Sequence, residues 1–309
     1  MPRSGFALSA ALLPPVVFIF VLRDCVMVMP MAKPEKLPIQ RGRAFLSVEM
    51  VFGQSTVTSA WSSEPIKILV PKSRGVSTWA CTSSFGGGMV GGDQTRIDLN
   101  LGPGTRCFLG TQASTKIYRN PSRLPCSHVT RANLGFDSLL VFAPDPVQAF
   151  AGSNYSQRQE FSLAPGAGLV LLDWFSSGRA ARGERWQFSQ FKSRNEVFNA
   201  GERVFLDSIL LNSAGSSLVS PMRAGRFNCF AMLLFMGKPL LEAAGLLLQT
   251  MSAKPIERKS SLAISASPVG SGAVLRVAGE QVEAVGREIH RYLAFVSGLL
   301  GDDPWKRKW

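Results

Sequence analysis

Alternating apolar and polar positions recur through much of the chain and predict β-strands. Every second residue is apolar in segments 44–52, 66–70 and 97–101, as expected of strands with one buried face. Segment 169–175 is an almost continuous apolar run and ends at Ser176-Ser177-Gly178, which indicates a strand buried on both faces. Gly102-Pro103-Gly104 separates two strand patterns, so we expect a hairpin there.

Helical periodicity occurs only near the C-terminus. Apolar residues recur at spacings of three and four from 282 to 296, and 239–249 is a second apolar segment. Strand patterns followed by a few helices, without β-α-β alternation, favour a mainly β fold. We therefore predict many strands in stacked or β-helix-like sheets, with a few α-helices toward the C-terminus.

Residues 1–40 differ from the remainder of the chain. An apolar run from 6 to 22 is interrupted by Pro14 and Pro15, and the compact pattern begins only after Pro30, Pro34 and Pro38. We expect residues 1–40 to be an extension outside the fold and residues 41–309 to form a single domain. The apolar run leaves an organelle-targeting leader, secretion or membrane anchoring as alternatives to a cytoplasmic protein.

Charge and composition narrow the classes of function. The chain has 34 Lys and Arg residues against 21 Asp and Glu, a formal charge of +13, which favours an acidic partner. No nucleic-acid-binding signature accompanies the basic C-terminal residues, so we expect no nucleic-acid partner. There are two histidines and five cysteines, without a C-x-x-C pair, and no hydrolase or P-loop motif, so we predict no enzyme activity.

Two local motifs are weak candidates for a ligand-binding site. Gly86, Gly88 and Gly91 satisfy G-x-G-x-x-G, but a strand pattern follows them instead of the helix that a dinucleotide site needs. These glycines are expected to allow close backbone approach or positive φ. Cys126 and His128 lie in an expected loop and offer only two adjacent ligands, which do not make a closed metal site.

Several segments in a fixed order are similar to the urease accessory protein D family, UreD or UreH. They are 86–93, 102–104, 111–119, 161–167 and 177–184, and the similarity extends from about residue 43 to the C-terminus. Several motifs in the family's order are more specific than one motif alone. The residues that carry the resemblance as a structural motif are Gly86, Gly87, Gly88, Gly91, Gly92, Lys116, Tyr118, Arg179 and Gly183.

The resemblance implies a non-enzymatic, cytoplasmic chaperone of nickel insertion. It implies binding to apo-urease, to the F-type accessory protein and to the G-type GTPase, with no membrane partner. It also implies that Ni²⁺ passes through without a stably bound cofactor. The alternative is a β-rich protein-interaction domain with an unknown partner other than urease.

Three carboxylates within the family-like segments are candidates for a nickel route: Asp93, Asp98 and Glu184. A route for transit needs weak ligands, and oxygen atoms bind nickel more weakly than a cage of imidazoles and thiolates. Each residue also has a structural alternative. Asp93 can cap the glycine turn, Asp98 can face solvent, and Glu184 can pair with Arg182 or Arg185.

Overall fold

The computed structural model describes residues 20–22, 25–27, 41–72, 75–121, 124–213, 217–255, 257 and 259–306. The chain divides into two compact units, Met1–Leu37 and Pro38–Trp309. In the first unit, the described residues form one antiparallel pair, β1 (Phe20–Leu22) and β2 (Cys25–Met27). The prediction that residues 1–40 form an extension lies mostly outside the described residues and stays a prediction.

The described residues of the second unit form mainly strands, with three α-helices near the C-terminus. Its strands are β3 (Arg41–Val51), β4 (Gln54–Ser62), β5 (Ile66–Leu69), β6 (Thr78–Ser84), β7 (Gly88–Met89), β8 (Gln94–Leu101), β9 (Arg106–Thr111), β10 (Thr115–Ile117), β11 (Cys126–Leu134), β12 (Leu139–Phe142), β13 (Val147–Ala149), β14 (Asn154–Leu163), β15 (Gly168–Ser176), β16 (Gln190–Asn199), β17 (Glu202–Asn212), β18 (Cys229–Gly237), β19 (Leu262–Val269) and β20 (Gly272–Gly279). Its helices are α1 (Leu241–Ser252), α2 (Val282–Tyr292) and α3 (Val296–Leu300). This confirms the predicted fold class.

The strands form two large stacked sheets. A seven-stranded sheet has the order β17-β16-β14-β11-β8-β3-β4, and its five middle strands are parallel. An eleven-stranded sheet contains β19-β20-β18-β15-β12-β9-β6-β5, with β13, β10 and β7 attached as a short parallel stack.

Successive strands alternate between the two sheets, as in a β-solenoid. The chain passes from β8 to β9, from β11 to β12 and from β14 to β15, each time moving from the seven-stranded sheet to the larger one. The hairpin expected at Gly102-Pro103-Gly104 is therefore wrong, because this turn joins strands of different sheets. A short turn between two alternating patterns does not specify whether the strands pair with each other.

Apolar side chains fill the space on both faces of the eleven-stranded sheet. One face packs against the seven-stranded sheet through residues such as Leu46, Leu99 and Leu171. The other face packs against the helices through residues such as Val285 and Ile289, which belong to the predicted helical stripe. The molecule thus has three layers in this unit: the seven-stranded sheet, the eleven-stranded sheet and the helices.

Candidate functional site

The glycine-rich segment forms a tight corner against β10. A side chain at Gly88 would place its Cβ 2.5 Å from the Lys116 carbonyl oxygen, so the two backbones approach closely. Gly86 and Gly87 both have φ of +72°. The Tyr118 hydroxyl donates a hydrogen bond to the Gly86 carbonyl oxygen at 3.3 Å. The corner is therefore a packed structural feature and, as expected, no helix follows it.

The later family-like segment packs beside this corner. The Arg179 guanidinium binds Glu184, with 2.9 Å between Nε and Oε2, and its carbon lies 4.5 Å from the centre of the Phe150 ring. That ring makes an edge contact with Tyr118, with centroids 5.6 Å apart. Gly183, with φ of +77°, ends the short turn between Arg179 and Glu184. The structure therefore brings Gly86, Tyr118, Arg179 and Glu184 together.

The three candidate carboxylates have local partners. Asp93 accepts a hydrogen bond from the Val90 backbone N–H at 2.8 Å in the glycine turn, while burial raises its pKa. Asp98 lies on the outer face of β8 and forms a bidentate ion pair with Arg96. Glu184 pairs with Arg179, rather than with Arg182 or Arg185 as the sequence suggested, and this pairing lowers its pKa. Their role in a nickel route stays a prediction.

The inner face of the seven-stranded sheet carries two adjacent cross-strand rows of polar residues. The first row is Thr95, His128, Gln157 and Ser193, and the second is Thr130, Gln159, Asn195 and Asp207. We call these eight residues, together with Asp173 on the facing sheet, the polar belt. Apolar rows flank the belt, with Leu99 and Phe161 on one side and Tyr155 and Phe191 on the other.

Asp173 on β15 joins the belt to the facing sheet. Its carboxylate accepts hydrogen bonds from Gln157 Nε2 at 2.7 Å, Ser193 Oγ at 2.5 Å and Asn195 Nδ2 at 2.7 Å. Burial raises the pKa of Asp173, and these hydrogen bonds oppose that effect. Asp207 continues the belt and pairs with Arg276 Nη2 at 2.6 Å.

Two cavities meet at Asp173. One, of about 220 Å³, is lined by members of both polar rows, by Thr111 on β9 and by Asp145 in the loop between β12 and β13. The second, of about 370 Å³, is lined by Asp173, Arg276 and Ser265 beside apolar residues of β17 and β18. Asp173 borders both cavities, so polar groups extend through the interior from one cavity to the other.

Three acceptor oxygens of the belt have no hydrogen-bond partner among the described residues. They are Gln159 Oε1, Asn195 Oδ1 and Asp207 Oδ2. A buried acceptor left unpaired costs about 1–3 kcal/mol, so three in one belt are unusual in a well-packed interior. These atoms present lone pairs that suit a cation or its hydration water.

Nitrogen and sulfur ligands are scarce in this interior. His128 lies on β11 rather than in the expected loop, and burial lowers its pKa to about 4, so the imidazole is neutral at pH 7. Its ring nitrogens contact the hydroxyls of Thr95 at 2.8 Å and Thr130 at 3.1 Å. Burial raises the pKa of Cys126 to about 12, which keeps it a thiol. Among the described residues, no three His, Cys, Asp or Glu side chains are grouped to hold a metal ion.

The polar belt is not among the sites that the sequence predicts. None of Asp93, Asp98 and Glu184 lines either of the two cavities that meet at Asp173. Asp173 was hidden within the apolar run 169–175, although a lone carboxylate in a strand buried on both faces was a signal. Gln157 and Asn195 gave no signal, because cross-strand register brings them together.

Fold and interior together define a class: a β-solenoid-like protein of two stacked sheets with a buried polar belt between them. Comparison with known proteins narrows this class. A family model described as UreD urease accessory protein matches residues 40–309. The chain belongs to the UreD urease accessory protein family.

Individual relatives give the same result. The urease accessory protein UreD of Sorangium cellulosum (strain So ce56) is 45% identical over 268 residues, covering 85% of this chain and 84% of the relative. UreD of Anaeromyxobacter sp. (strain Fw109-5) is 36% identical, covering 89% and 92%. Urease accessory protein D of Arabidopsis thaliana is 31% identical, covering 84% and 97%. Family membership supports a role in urease maturation.

Within the described ranges, the helices are too short or too polar for one of them to cross a bilayer.

Proposed function

We propose that this protein is a non-enzymatic, cytoplasmic chaperone of urease maturation. It binds apo-urease together with the F-type accessory protein and the G-type GTPase, and it lets Ni²⁺ pass through its interior toward the urease active site. The polar belt between the sheets carries this proposal. Family membership supports the urease connection.

The chemistry of the belt suits passage rather than storage. Nickel binds imidazole and oxygen ligands, and the belt offers one neutral imidazole, His128, among hydroxyl, amide and carboxylate oxygens. A transported ion must bind well enough to enter and weakly enough to leave. Isolated oxygen ligands spread along a path meet this condition better than a closed set of three or four strong ligands.

The small contribution expected of the belt to the stability of the fold also supports a functional role. Replacing a buried polar pair by apolar groups of the same shape is often nearly neutral or stabilising, so stability alone does not account for these polar residues. A buried acceptor without a partner costs about 1–3 kcal/mol, and within the described part of the chain Gln159, Asn195 and Asp207 each have one such oxygen. A cation path through the interior explains why polar residues occupy these positions.

A single near-isosteric change tests the passage. Gln159→Met removes the unpaired Oε1 and keeps a side chain of similar length. Leu134→Met, in the apolar row beyond that of Leu99 and Phe161, is the control for altered packing. We measure the nickel content of urease after maturation, and in parallel the amount of apo-urease that co-purifies with each variant.

The expected result is that Gln159→Met lowers nickel loading several-fold while co-purification is unchanged and Leu134→Met behaves as the wild type. Normal nickel loading by Gln159→Met would remove the belt from the route. Failure of the wild-type protein to co-purify with apo-urease would overturn the chaperone assignment itself.

A further inference from the structure

The outer face of the seven-stranded sheet has a charge pattern that the nickel route does not use. Along its five parallel strands, the outward residues form four cross-strand rows, which we call the cationic face. The rows are Arg41, Gln94, Ser127, Ser156 and Lys192; Arg43, Arg96, Val129, Arg158 and Arg194; Phe45, Asp98, Arg131, Glu160 and Glu196; and Ser47, Asn100, Asn133, Ser162 and Phe198.

Part of this face is a closed ionic network. Glu196 lies beneath Arg158, Arg194 and Arg203, with contacts of 3.1, 2.8 and 3.2 Å. Glu160 pairs with Arg131 at 2.8 Å and with Arg158 at 2.5 Å. The acidic row therefore holds the arginine side chains of the neighbouring strands in place.

Cations remain in excess after this pairing. The four rows contain seven Arg and Lys side chains against three carboxylates. Arg41, Arg43 and Lys192 are exposed, and their charged groups form no ion pair with the described residues. Charges without a partner are not needed to hold the sheet together, which leaves them available to a partner molecule.

No helix among the described residues of this unit covers the face. All three helices pack against the larger sheet, whereas parallel strands are usually covered on both faces. Exposed apolar residues border the charged rows: Trp61 on β4 stacks on Phe45 at 6.2 Å, and Leu206 on β17 lies beside Glu196. Arginine and tryptophan are the residue types enriched in protein interfaces.

The dimensions of the face are those of a protein interface. Seven strands about 4.8 Å apart and four rows spanning about 20 Å give roughly 600 Å² in projection. A standard interface buries about 800 Å² on each partner. The face is thus large enough to form most of one interface.

We propose that the cationic face docks an acidic surface of a folded protein partner, and that this partner is apo-urease. The inference rests on the proposed function, because it assigns one surface to the client already proposed. Complementary charge steers association and fixes orientation, while Trp61 and Leu206 supply apolar contacts at the two edges.

A nucleic acid suits this face less well. The row containing Asp98, Glu160 and Glu196 crosses the middle of the face and pairs with neighbouring arginines, so the cations do not form the continuous basic stripe that a phosphate backbone needs. A protein surface can place cations opposite that row and carboxylates opposite Arg41, Arg43 and Lys192. The pattern of both signs therefore favours a protein.

The test reverses the three cations that have no ion pair. Full-length protein carrying Arg41→Glu, Arg43→Glu and Lys192→Glu is compared with the wild type for binding to purified apo-urease. The matched control carries Lys238→Glu, Arg287→Glu and Lys306→Glu, which make the same change of charge at exposed positions on the helical side. Urea midpoints verify that each variant is folded, and the dependence of wild-type binding on salt is a readout that needs no variant.

We expect at least about a tenfold loss of affinity in the face variant, little change in the control, and wild-type binding that weakens as salt rises. Equal affinity of the face variant and the wild type, or wild-type binding indifferent to salt, would overturn the docking surface and leave the chaperone role standing. Wild-type protein that does not bind apo-urease would refute both. If the face variant lost binding to duplex DNA while keeping its affinity for apo-urease, the face would be a phosphate-binding surface and the inference would be wrong.

Discussion

The Glu196 carboxylate is predicted to be a pH-sensitive support of the seven-stranded sheet. Its side chain is 3% exposed and contacts three guanidinium groups, those of Arg158, Arg194 and Arg203. The hydrogen bond from Arg194 is the largest influence that lowers the pKa of Glu196 from 4.5 to about 2. The folded protein therefore favours the ionised form much more than the unfolded chain does.

The pKa difference sets an upper limit for the contribution to stability. A difference of one in pKa corresponds to 1.36 kcal/mol, so the lowered pKa of Glu196 contributes at most about 3.4 kcal/mol to the free energy of unfolding at pH 7. The three guanidiniums are 32–51% exposed, and water screens their interaction with the carboxylate, so we expect roughly 1–3 kcal/mol. Because the folded pKa is depressed, this stabilisation is present above pH 4.5 and is lost as pH falls toward 2.

Urea denaturation of the wild type and of Glu196→Gln at pH 7 and pH 3 measures this contribution. The variant is expected to be less stable by roughly 1–3 kcal/mol at pH 7, and the difference should shrink by about half or more at pH 3. Glu160→Gln is the control, because the same change is made in the same row at a more exposed carboxylate with two partners. A deficit that is the same at both pH values, or no larger than that of the control, would refute the reasoning.

Two further predictions concern the interior and the glycine corner. The neutral, partly buried His128 must gain a proton when the chain unfolds in acid, so wild-type stability should fall as pH drops from 6.5 to 4. The melting temperature of His128→Asn should fall less between pH 7 and pH 5, and an identical fall would contradict the assignment. If Asp93, Asp98 and Glu184 line the nickel route, their combined amide variant should still bind apo-urease but load less nickel. Normal nickel loading would return them to structural roles.

The strand pattern could be predicted from the sequence, whereas the pairing of the strands could not. A period of two specifies which side chains share a face, and it placed Leu46 and Leu99 correctly in the core. It does not specify which strand lies alongside. For this reason the pattern around 102–104 predicts a hairpin, although the turn joins β8 of the seven-stranded sheet to β9 of the eleven-stranded sheet. Turns between sheets and turns within a sheet use the same glycine and proline residues.

The candidate site was harder to predict than the fold. The residues with a family-like sequence context, such as Glu184 and Tyr118, pack at one corner of the coil. The polar belt is assembled from single residues on separate strands, such as Thr95, His128 and Gln157, which lie about thirty positions apart along the chain. Each is unremarkable in its own strand, since glutamine and threonine are common on a solvent face. Only the register between strands shows that they face inward together.

The two faces of the seven-stranded sheet depend on one register. Moving a strand by one residue exchanges its inner and outer side chains. A shift of β14 in that way would turn Arg158 and Glu160 inward and expose Phe161, which is fully buried between the sheets. The apolar rows beside the belt therefore hold the polar rows inside and the arginines outside. The proposed passage through the interior and the proposed docking on the outer face therefore use opposite faces of the same strands. A mutation that shifts the register is expected to abolish both.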